Sequence, residues 1–431
     1  MFRRAFCFLA GTLALAACAG TAPPSPRPFA FNAGPAHQPI QPSPGHVAPG
    51  VAAGGAPGGA QGIALLAPLT GPNAERGQAL VNAAQLALAA PGSPPLDVRD
   101  TAGTAEGAAA AATAALAAGA GLIIGPLTAA ETAAVAPVAR PAGVAVLAFT
   151  NDTAQAQPGV WPLGITSTQQ VRRLVGAASA QGKTHFAAAL PSSGFGQAMG
   201  AALSQAVAAA GGPAPDIRFY ESSNAGISGT IRDLSDYASR RGPLDAKRRE
   251  ALAQHSAEGR REAADISRES VPPPPFEALL LAETNSERLA WLSSFLAYYD
   301  IDAPRVQVMG PALWALPATR AGADLTGAWY AAPDPDAHGS FQDAYKAKFG
   351  APPPGLADFA FDAAAIGRVL ALEGNFSVAA LCRPEGFAGV DGLLALQTDG
   401  SVRRGLALFR IDRGGAERIE PAPDSVTAPG I

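Results

Sequence analysis

The segment Ile63-Ala-Leu-Leu-Ala-Pro-Leu-Thr-Gly-Pro72 decides how this chain folds. Its first five residues are all apolar, which is typical of a strand buried on both faces of a parallel sheet. The Pro and Gly residues that follow indicate a turn. A helix is expected over residues 73–90, where Leu80, Ala84 and Leu88 lie on one helical face. The segment therefore begins a strand–turn–helix unit.

The same alternation of short apolar runs and helical segments continues along the chain. Strands are expected at 96–100, 121–125 and 144–149, separated by helices at 105–118 and 130–140. After residues 161–166 a second series begins, with expected helices at 169–180, 196–210 and 287–299 and expected strands at 185–190, 217–221, 278–282 and 306–309. Strands that alternate with helices imply βαβ units and parallel sheets. Two such series predict two lobes with a cleft between them, where small-molecule sites are common.

The composition argues against several classes of function. The 31 Lys and Arg residues do not outnumber the 35 Asp and Glu residues, so no basic surface for nucleic acid is expected. His185, His255 and His338 have no second ligand at metal spacing, so no metal site is predicted. The chain contains no Gly-x-Ser-x-Gly, no Ser-x-x-Lys and no His-Glu pair on a helix. We therefore expect a protein that is not an enzyme and needs no cofactor.

The N-terminal residues have the layout of an export signal. Arg3 and Arg4 precede the apolar run 6–15, which is too short to span a bilayer because a spanning helix takes about 20 apolar residues. Cys18 follows two alanines, and this arrangement resembles a bacterial lipobox. The resemblance implies that residues 1–17 are removed and that Cys18 becomes lipid-anchored. The alternative is an ordinary secretory signal with a chance cysteine.

The residues after the predicted signal indicate where the protein is held. Ala19 stands where an inner-membrane retention signal usually has Asp, which favours the periplasmic face of the outer membrane. Residues 18–61 are mostly Pro, Gly, Ala and Ser. Such a segment cannot bury enough apolar surface to offset chain entropy, so a disordered tether is expected.

Three short motifs, taken together, resemble the type I periplasmic-binding fold of the branched-chain amino-acid receptors. Ile63 to Gly71 is similar to the first strand and ligand loop of that family, Ile123 to Thr128 to its second signature, and Ser193 to Gly196 to the opening of its second lobe. The resemblance implies an α/β fold of two Rossmann-like lobes with parallel sheets.

The same resemblance predicts the limits of the two lobes. The first lobe is expected at 62–164 and 332–391, and the second at 165–331 and 392–420, with hinges near 162–166, 330–333 and 389–392.

Within this fold, three further segments resemble the LppC-type lipoproteins, a family of penicillin-binding-protein activators. These segments are 260–282, 296–314 and 391–406. The resemblance implies an outer-membrane lipoprotein that stimulates a peptidoglycan synthase through protein–protein contact. The enteric members carry an N-terminal helical-repeat domain, and here only the Pro-rich segment stands in its place.

A segment dense in charged residues, 239–270, interrupts the second series and is called the charged insertion below. We predict that it binds the protein partner through its paired arginines, Arg248, Arg249, Arg260 and Arg261. The alternative is a solvated helical insertion with ion pairs at i,i+4 spacing.

The resemblance to amino-acid receptors also implies candidate ligand-binding residues in the cleft. They are Thr70, Thr128, Thr150, Asn151 and Phe195. The receptors often have a tyrosine where Phe195 stands, and a serine where Ala129 stands. A buried amino acid without those hydroxyls would leave charge uncompensated, which disfavours such a ligand. Turn and cap roles for the threonines are the alternative.

Two functions follow as expectations. The first is a non-enzymatic envelope lipoprotein that regulates peptidoglycan synthesis by activating a penicillin-binding protein. The second is a periplasmic solute-binding receptor, for an amino acid or an amide-like ligand, that serves an ABC transporter.

Overall fold

Strands and helices alternate throughout the computed structural model, which describes residues 62–427 and residue 430. The predicted signal peptide, Cys18 and the predicted tether lie outside the described residues. Within the described part of the chain, no helix is long and apolar enough to cross a membrane.

The strands form three sheets. In chain order they are β1 (Gly62–Ala67), β2 (Leu96–Asp100), β3 (Ala120–Ile124), β4 (Ala145–Ala148), β5 (Val160–Pro162), β6 (Phe186–Pro191), β7 (Asp216–Tyr220), β8 (Ala278–Leu281), β9 (Gln307–Gly310), β10 (Trp329–Ala332), β11 (Phe387–Gly389), β12 (Gly392–Leu396), β13 (Val402–Arg404), β14 (Ala407–Asp412) and β15 (Gly415–Glu420).

The helices pack on the faces of these sheets. They are α1 (Ala74–Ala87), α2 (Ala105–Ala117), α3 (Ala129–Ala139), α4 (Ser167–Ala180), α5 (Gly194–Ala209), α6 (Asn224–Leu234), α7 (Tyr237–Ala253), α8 (Ala257–Ile266), α9 (Ser286–Tyr298), α10 (Pro335–Phe349), α11 (Ala357–Glu373) and α12 (Val378–Leu381). Short polar side chains begin many of them. Thr104, Thr166 and Ser193 each accept a hydrogen bond from a backbone N–H of the first turn, which offsets the unpaired donors of a helix start.

The first lobe is built on a parallel sheet in the order β2-β1-β3-β4-β5. Its central strand β1 is buried on both faces, as its all-apolar sequence predicts. Ile63 and Leu65 pack into the core on one face, whereas Ala64 and Leu66 pack against the alanine-rich α2 and α3 on the other. Because the strand order reverses between β1 and β3, the crevice of this sheet lies at the carboxyl ends of those two strands.

The second lobe is built on a sheet in the order β15-β14-β10-β9-β8-β6-β7. Strands β6 to β10 are parallel, as expected. Strands β14 and β15 are antiparallel to their neighbours, because a short turn joins them as a hairpin at the sheet edge. This edge is a finding beyond the expected parallel sheets, and mixed sheets of this kind are common in α/β folds.

A small antiparallel sheet, β11-β12-β13, lies at the junction of the lobes. Leu394 and Leu396 of β12 belong to the core of the first lobe. The chain therefore returns to the second sheet only between Arg404 and Ala407. This differs from the expected lobe limit at 391 and 392, because the apolar residues of β12 complete the first core. The other two crossings between the lobes follow β5 and β10.

The first crossing depends on Gly164. A Cβ atom at this position would lie 2.7 Å from the backbone N and Cα of Asn151. The Gly164 N–H also donates to the Thr150 carbonyl oxygen at 3.0 Å. The two backbone segments are thus too close for any side chain larger than that of glycine.

We expect Gly164→Ala to lower the free energy of unfolding by about 1–3 kcal/mol, because the added methyl group forces the backbone apart. Gly229→Ala in α6 is the control: a Cβ there meets no atom within 4 Å, and alanine is the better helix former by up to about 1 kcal/mol. Urea unfolding monitored by circular dichroism measures both variants. Equal stabilities would contradict the close approach at Gly164.

Candidate functional site

A cavity of about 290 Å³ lies between the two lobes. Its first-lobe wall is the segment after β4, and its second-lobe wall is formed by the starts of α4 and α5. The lining residues are Asn151, Asp152, Thr153, Ser167, Thr168, Phe195, Ala198, Ala201, Ala202 and Gln205. The structure therefore brings together two of the predicted ligand residues, the exposed Asn151 and the half-buried Phe195, from opposite lobes.

A second, more polar cavity of about 560 Å³ adjoins the first and shares Thr153, Thr168 and Gln205 with it. It is also bounded by Arg172 on α4 and by the turn 397–403 between β12 and β13. Burial, and the neighbouring Arg403 guanidinium, lower the pKa of Arg172. The two guanidinium groups line this cavity together with the Asp399 carboxylate, and guanidinium groups bind carboxylate and amide oxygens.

The three predicted threonines have partners within the protein. The Thr70 hydroxyl donates to Asp100 Oδ2 at 2.7 Å, and the Thr150 hydroxyl accepts from the Asp152 N–H at 3.1 Å. Thr128 begins α3 in a capping box, in which its hydroxyl donates to Glu131 Oε2 at 2.7 Å and its backbone N–H donates to the same carboxylate. These contacts are turn and cap chemistry, so a ligand role for the threonines stays a prediction.

The charged insertion folds as α7 and α8, which enclose a small core of their own. The core residues are Leu244, Ala251, Ala263, Ile266 and Val271. The buried Arg240 attaches the pair to the second lobe. Its guanidinium donates to four backbone carbonyl oxygens, those of Ser235 (3.2 Å), Pro272 (2.7 Å), Tyr299 (3.2 Å) and Asp300 (3.0 Å).

The predicted partner-binding residues are exposed on this helix pair, and one of them, Arg261, lines the groove between the two helices. Arg248, Arg249, Arg260 and Arg261 are all exposed, and none of them forms an ion pair with another described residue. The ion pairs of the insertion are Arg241 with Asp245 and Arg268 with Asp265, both at 3.1 Å. A groove of about 800 Å³ between the helices is lined by five carboxylate side chains together with Lys247 and Arg261.

A buried carboxylate lies where β8 ends, next to the reversal of strand order in the second sheet. Glu283 is 1% exposed and accepts hydrogen bonds from the Tyr220 hydroxyl (2.9 Å), from the Arg288 guanidinium (2.9 and 3.0 Å) and from the Asn285 N–H (2.8 Å). Burial opposes the charged form, but these donors outweigh it and lower the pKa of Glu283.

A second polar site lies next to the segments that cross between the lobes and is called the hinge cluster below. It consists of His338 on α10, Asp358 and Asp362 on α11, Asp391 between β11 and β12, and Arg404 at the end of β13. The Arg404 guanidinium is buried and donates to the Leu163 carbonyl oxygen at 2.7 Å. It lies 3.9 Å from the Asp362 carboxylate and 3.8 Å from that of Asp391.

The carboxylates of the hinge cluster lie close together and are buried from solvent. Burial, and then the neighbouring Asp391 carboxylate, raise the pKa of both Asp358 and Asp362. Interaction with Asp391 raises the pKa of His338 against the opposing effect of burial. Sequence reasoning missed this cluster because its members come from four separate elements. The one local signal was Asp358 and Asp362 at i,i+4 spacing in the otherwise apolar first half of α11.

Comparison with known proteins places this architecture in a family. The family model for periplasmic binding proteins matches residues 61–416, so the chain belongs to the periplasmic binding protein family. The expected type I periplasmic-binding fold is thereby confirmed. No curated protein sequence matches the chain.

Solved structures of two kinds are similar to this one. A Rhodospirillum rubrum protein assigned to branched-chain amino acid ABC transport has a TM-score of 0.63 at 18% identity, over 83% of this chain and 100% of its own. The C-domain of LpoA (YraM) from Haemophilus influenzae, a regulator of PBP1A, has a TM-score of 0.57 at 17% identity, over 83% of this chain and 100% of its own.

Full-length LpoA from Haemophilus influenzae gives a TM-score of 0.59 at 17% identity, and the match covers 84% of this chain. The match spans only 59% of the LpoA chain. At these identities the likeness establishes the fold alone.

We expect Glu283→Gln to lower the free energy of unfolding by about 1–3 kcal/mol at pH 7, because the Arg288 guanidinium loses its anionic partner and the NH₂ group of glutamine cannot accept a hydrogen bond. The folded-state pKa lies below the unfolded value of about 4.3, so the stabilisation is present above that pH and is lost as the pH falls through the folded pKa. Urea unfolding between pH 3 and 7 should show the difference from wild type shrinking towards acid. Glu221→Gln, at an exposed position, is the control; a gap for Glu283→Gln that is constant with pH would contradict the assignment.

Proposed function

We propose that this protein is a non-enzymatic envelope lipoprotein that regulates peptidoglycan synthesis by binding and activating a penicillin-binding protein. The observation that carries the proposal is the charged insertion, which presents four exposed arginines without ion-pair partners among the described residues. The regulator of PBP1A among the similar structures supports the same reading.

The insertion has the properties of a protein-docking surface. Arginine is enriched at protein interfaces and pairs with carboxylates through two parallel hydrogen bonds. The four bonds of Arg240 and the small core of the helix pair hold these arginines on an ordered support. Less conformational entropy is then lost on binding, so more of the contact energy contributes to affinity.

The cleft supports a regulator more than an amino-acid receptor. The hydroxyls of Thr70 and Thr128 are engaged by Asp100 and Glu131, and Phe195 has no hydroxyl to offer an ammonium group. The cavity that Asn151 and Phe195 share is about 290 Å³, at the lower limit for small-molecule pockets.

The second candidate function is a periplasmic solute-binding receptor for an ABC transporter. The polar cavity of about 560 Å³ beside Arg172 and Arg403 favours it, with an amide-like or carboxylate-bearing ligand. Thermal unfolding with a panel of amino acids, small amides and carboxylates tests this function. A ligand at 100 times its dissociation constant stabilises the folded state by about 2.7 kcal/mol.

We expect replacement of Arg248, Arg249, Arg260 and Arg261 by Glu to abolish capture of penicillin-binding proteins from detergent-solubilised envelopes. Fluorescent penicillin labelling identifies the captured synthases, and a glycan polymerisation assay with the purified synthase measures activation. Reversed charge at a docking surface typically costs several kcal/mol, so at least tenfold weaker activation is expected.

The control variant carries Glu at four basic residues elsewhere on the surface: Lys183, Lys346, Lys348 and Arg413. Both variants should keep the wild-type melting temperature. If wild type captures no synthase and activates none, the proposed function is wrong. If both variants lose activation equally, the insertion is not the docking surface.

We propose that acylation of Cys18 holds the protein on the periplasmic face of the outer membrane. Mass spectrometry of the mature wild-type chain should show lipid on an N-terminal Cys18, because the lipobox-like residues precede it. Cys18→Ser should move the protein from the outer-membrane fraction to the soluble periplasm. Cys382→Ser, at a half-buried cysteine of the first lobe, is the control and should fractionate like wild type. A lipid-free wild-type protein that washes out of the envelope would contradict the anchor.

A further inference from the structure

We propose that His338, Asp358 and Asp391 of the hinge cluster bind a divalent transition-metal ion beneath the crossings between the lobes. This site is separate from the charged insertion and from the cleft, and it does not depend on the proposed function. One ligand atom from each of the three residues lies within 4.8 Å of the others.

The distances between the donor atoms suit a metal ion better than direct hydrogen bonds. His338 Nδ1 lies 3.6 Å from Asp358 Oδ2 and 3.5 Å from Asp391 Oδ1, and neither contact is a hydrogen bond. Two ligands about 2.1 Å from a tetrahedral ion are about 3.4 Å apart. The imidazole nitrogen is therefore spaced from each of the two carboxylates as one ligand of a metal ion is from another.

Four buried polar atoms of the hinge cluster form no hydrogen bond. They are His338 Nδ1, Asp358 Oδ1, Asp391 Oδ1 and Asp362 Oδ2. Asp358 is 5% exposed, Asp391 1% and Asp362 0%. Nearly all buried polar atoms in folded proteins have a partner, so a group is missing from this cluster.

Charge indicates what the missing group is. The cluster contains three carboxylates against the single Arg404 guanidinium, which leaves two uncompensated negative charges when all three carboxylates are ionised and His338 is neutral. A water molecule would supply hydrogen bonds but no charge. A divalent cation supplies both the coordination and the two positive charges, because buried charges require compensation.

The ligand types select among divalent ions. An imidazole nitrogen with carboxylate oxygens suits Zn²⁺, Mn²⁺ or Fe²⁺, whereas Mg²⁺ and Ca²⁺ prefer oxygen ligands throughout. The His338 side chain is 24% exposed and offers a route of entry. Arg404 lies 3.8 Å from Asp391, one of the proposed ligands, as outer-shell groups do in metal sites.

The position of the site gives the ion a structural consequence. α10, which carries His338, follows the second crossing, and Arg404 both precedes the third crossing and bonds the Leu163 carbonyl of the first. An ion held by His338 and Asp391 would join these elements. We therefore expect metal binding to raise the melting temperature of the whole body.

The test uses the full chain, purified with a tag that contains no histidine and stripped with EDTA. Each of ZnCl₂, MnCl₂, MgCl₂ and CaCl₂ is added separately. After gel filtration, the metal bound per chain is measured by inductively coupled plasma mass spectrometry. Wild type should retain one Zn²⁺ or Mn²⁺ per chain and gain melting temperature, with little retention of Mg²⁺ or Ca²⁺.

Substitutions locate the ion. His338→Gln and Asp391→Asn should weaken Zn²⁺ or Mn²⁺ binding at least about tenfold by calorimetry. His185→Gln, at an exposed histidine 3.7 Å from Glu277, and Asp343→Asn, on the exposed surface of α10, should bind as wild type does. Uptake that persists in His338→Gln and Asp391→Asn would overturn the proposal.

Asp358→Asn tests the same site if His338→Gln and Asp391→Asn do not fold. It removes one charge from the crowded cluster, so the metal-free variant should melt at or above the wild-type temperature while losing the metal-induced gain. The rival is a cluster neutralised by bound protons. In that case no tested ion is retained stoichiometrically by wild type and none shifts its melting temperature, which would also overturn the proposal.

Discussion

The junction of the two lobes depends on one buried guanidinium. Arg404 is fully enclosed, and its hydrogen bond to the Leu163 carbonyl oxygen joins the first crossing to the third. A buried charge of this kind is costly without counter-charges, and the structure supplies them in Asp362 and Asp391. Their presence in turn requires Gly389, where a Cβ atom would lie 2.4 Å from Asp362 Oδ2.

The fold separates three surfaces that serve different purposes. The cleft lies at the carboxyl ends of the strands, the charged insertion projects from the second lobe on α7 and α8, and the hinge cluster lies beneath the crossings. Receptors and regulators share this architecture, and the shared fold does not choose between them. To decide between a receptor and a regulator, we compare which surface has polar side chains that are not already bonded within the protein. Here the insertion offers exposed arginines, whereas the predicted cleft threonines are occupied by their own neighbours.

The sequence correctly predicted those structural features that depend on a residue and its near neighbours in the chain. The all-apolar run at β1 predicted a strand buried on both faces, and the alternation after it predicted the parallel sheets. The charged insertion was recognisable by its composition, although its expected ladder of i,i+4 pairs reduces to Arg241 with Asp245. Long side chains on an exposed helix gain little from such pairs, so spacing alone does not form them.

The sequence by itself therefore determined the α/β class, the order of the main elements and the exposed insertion, whereas lipid attachment at Cys18 stays a prediction. These features follow from hydrophobic periodicity and composition, which act within one or two turns of chain. Tertiary structure alone decided that β12 completes the core of the first lobe, that β14 and β15 form an antiparallel edge, and that His338, Asp358 and Asp391 meet. The contacts of β12 with the first core, of β14 with β10, and among the hinge-cluster residues join positions about 20 or more apart, so their energies arise only once the intervening chain has packed. Patterns within a short stretch of sequence therefore do not predict these contacts.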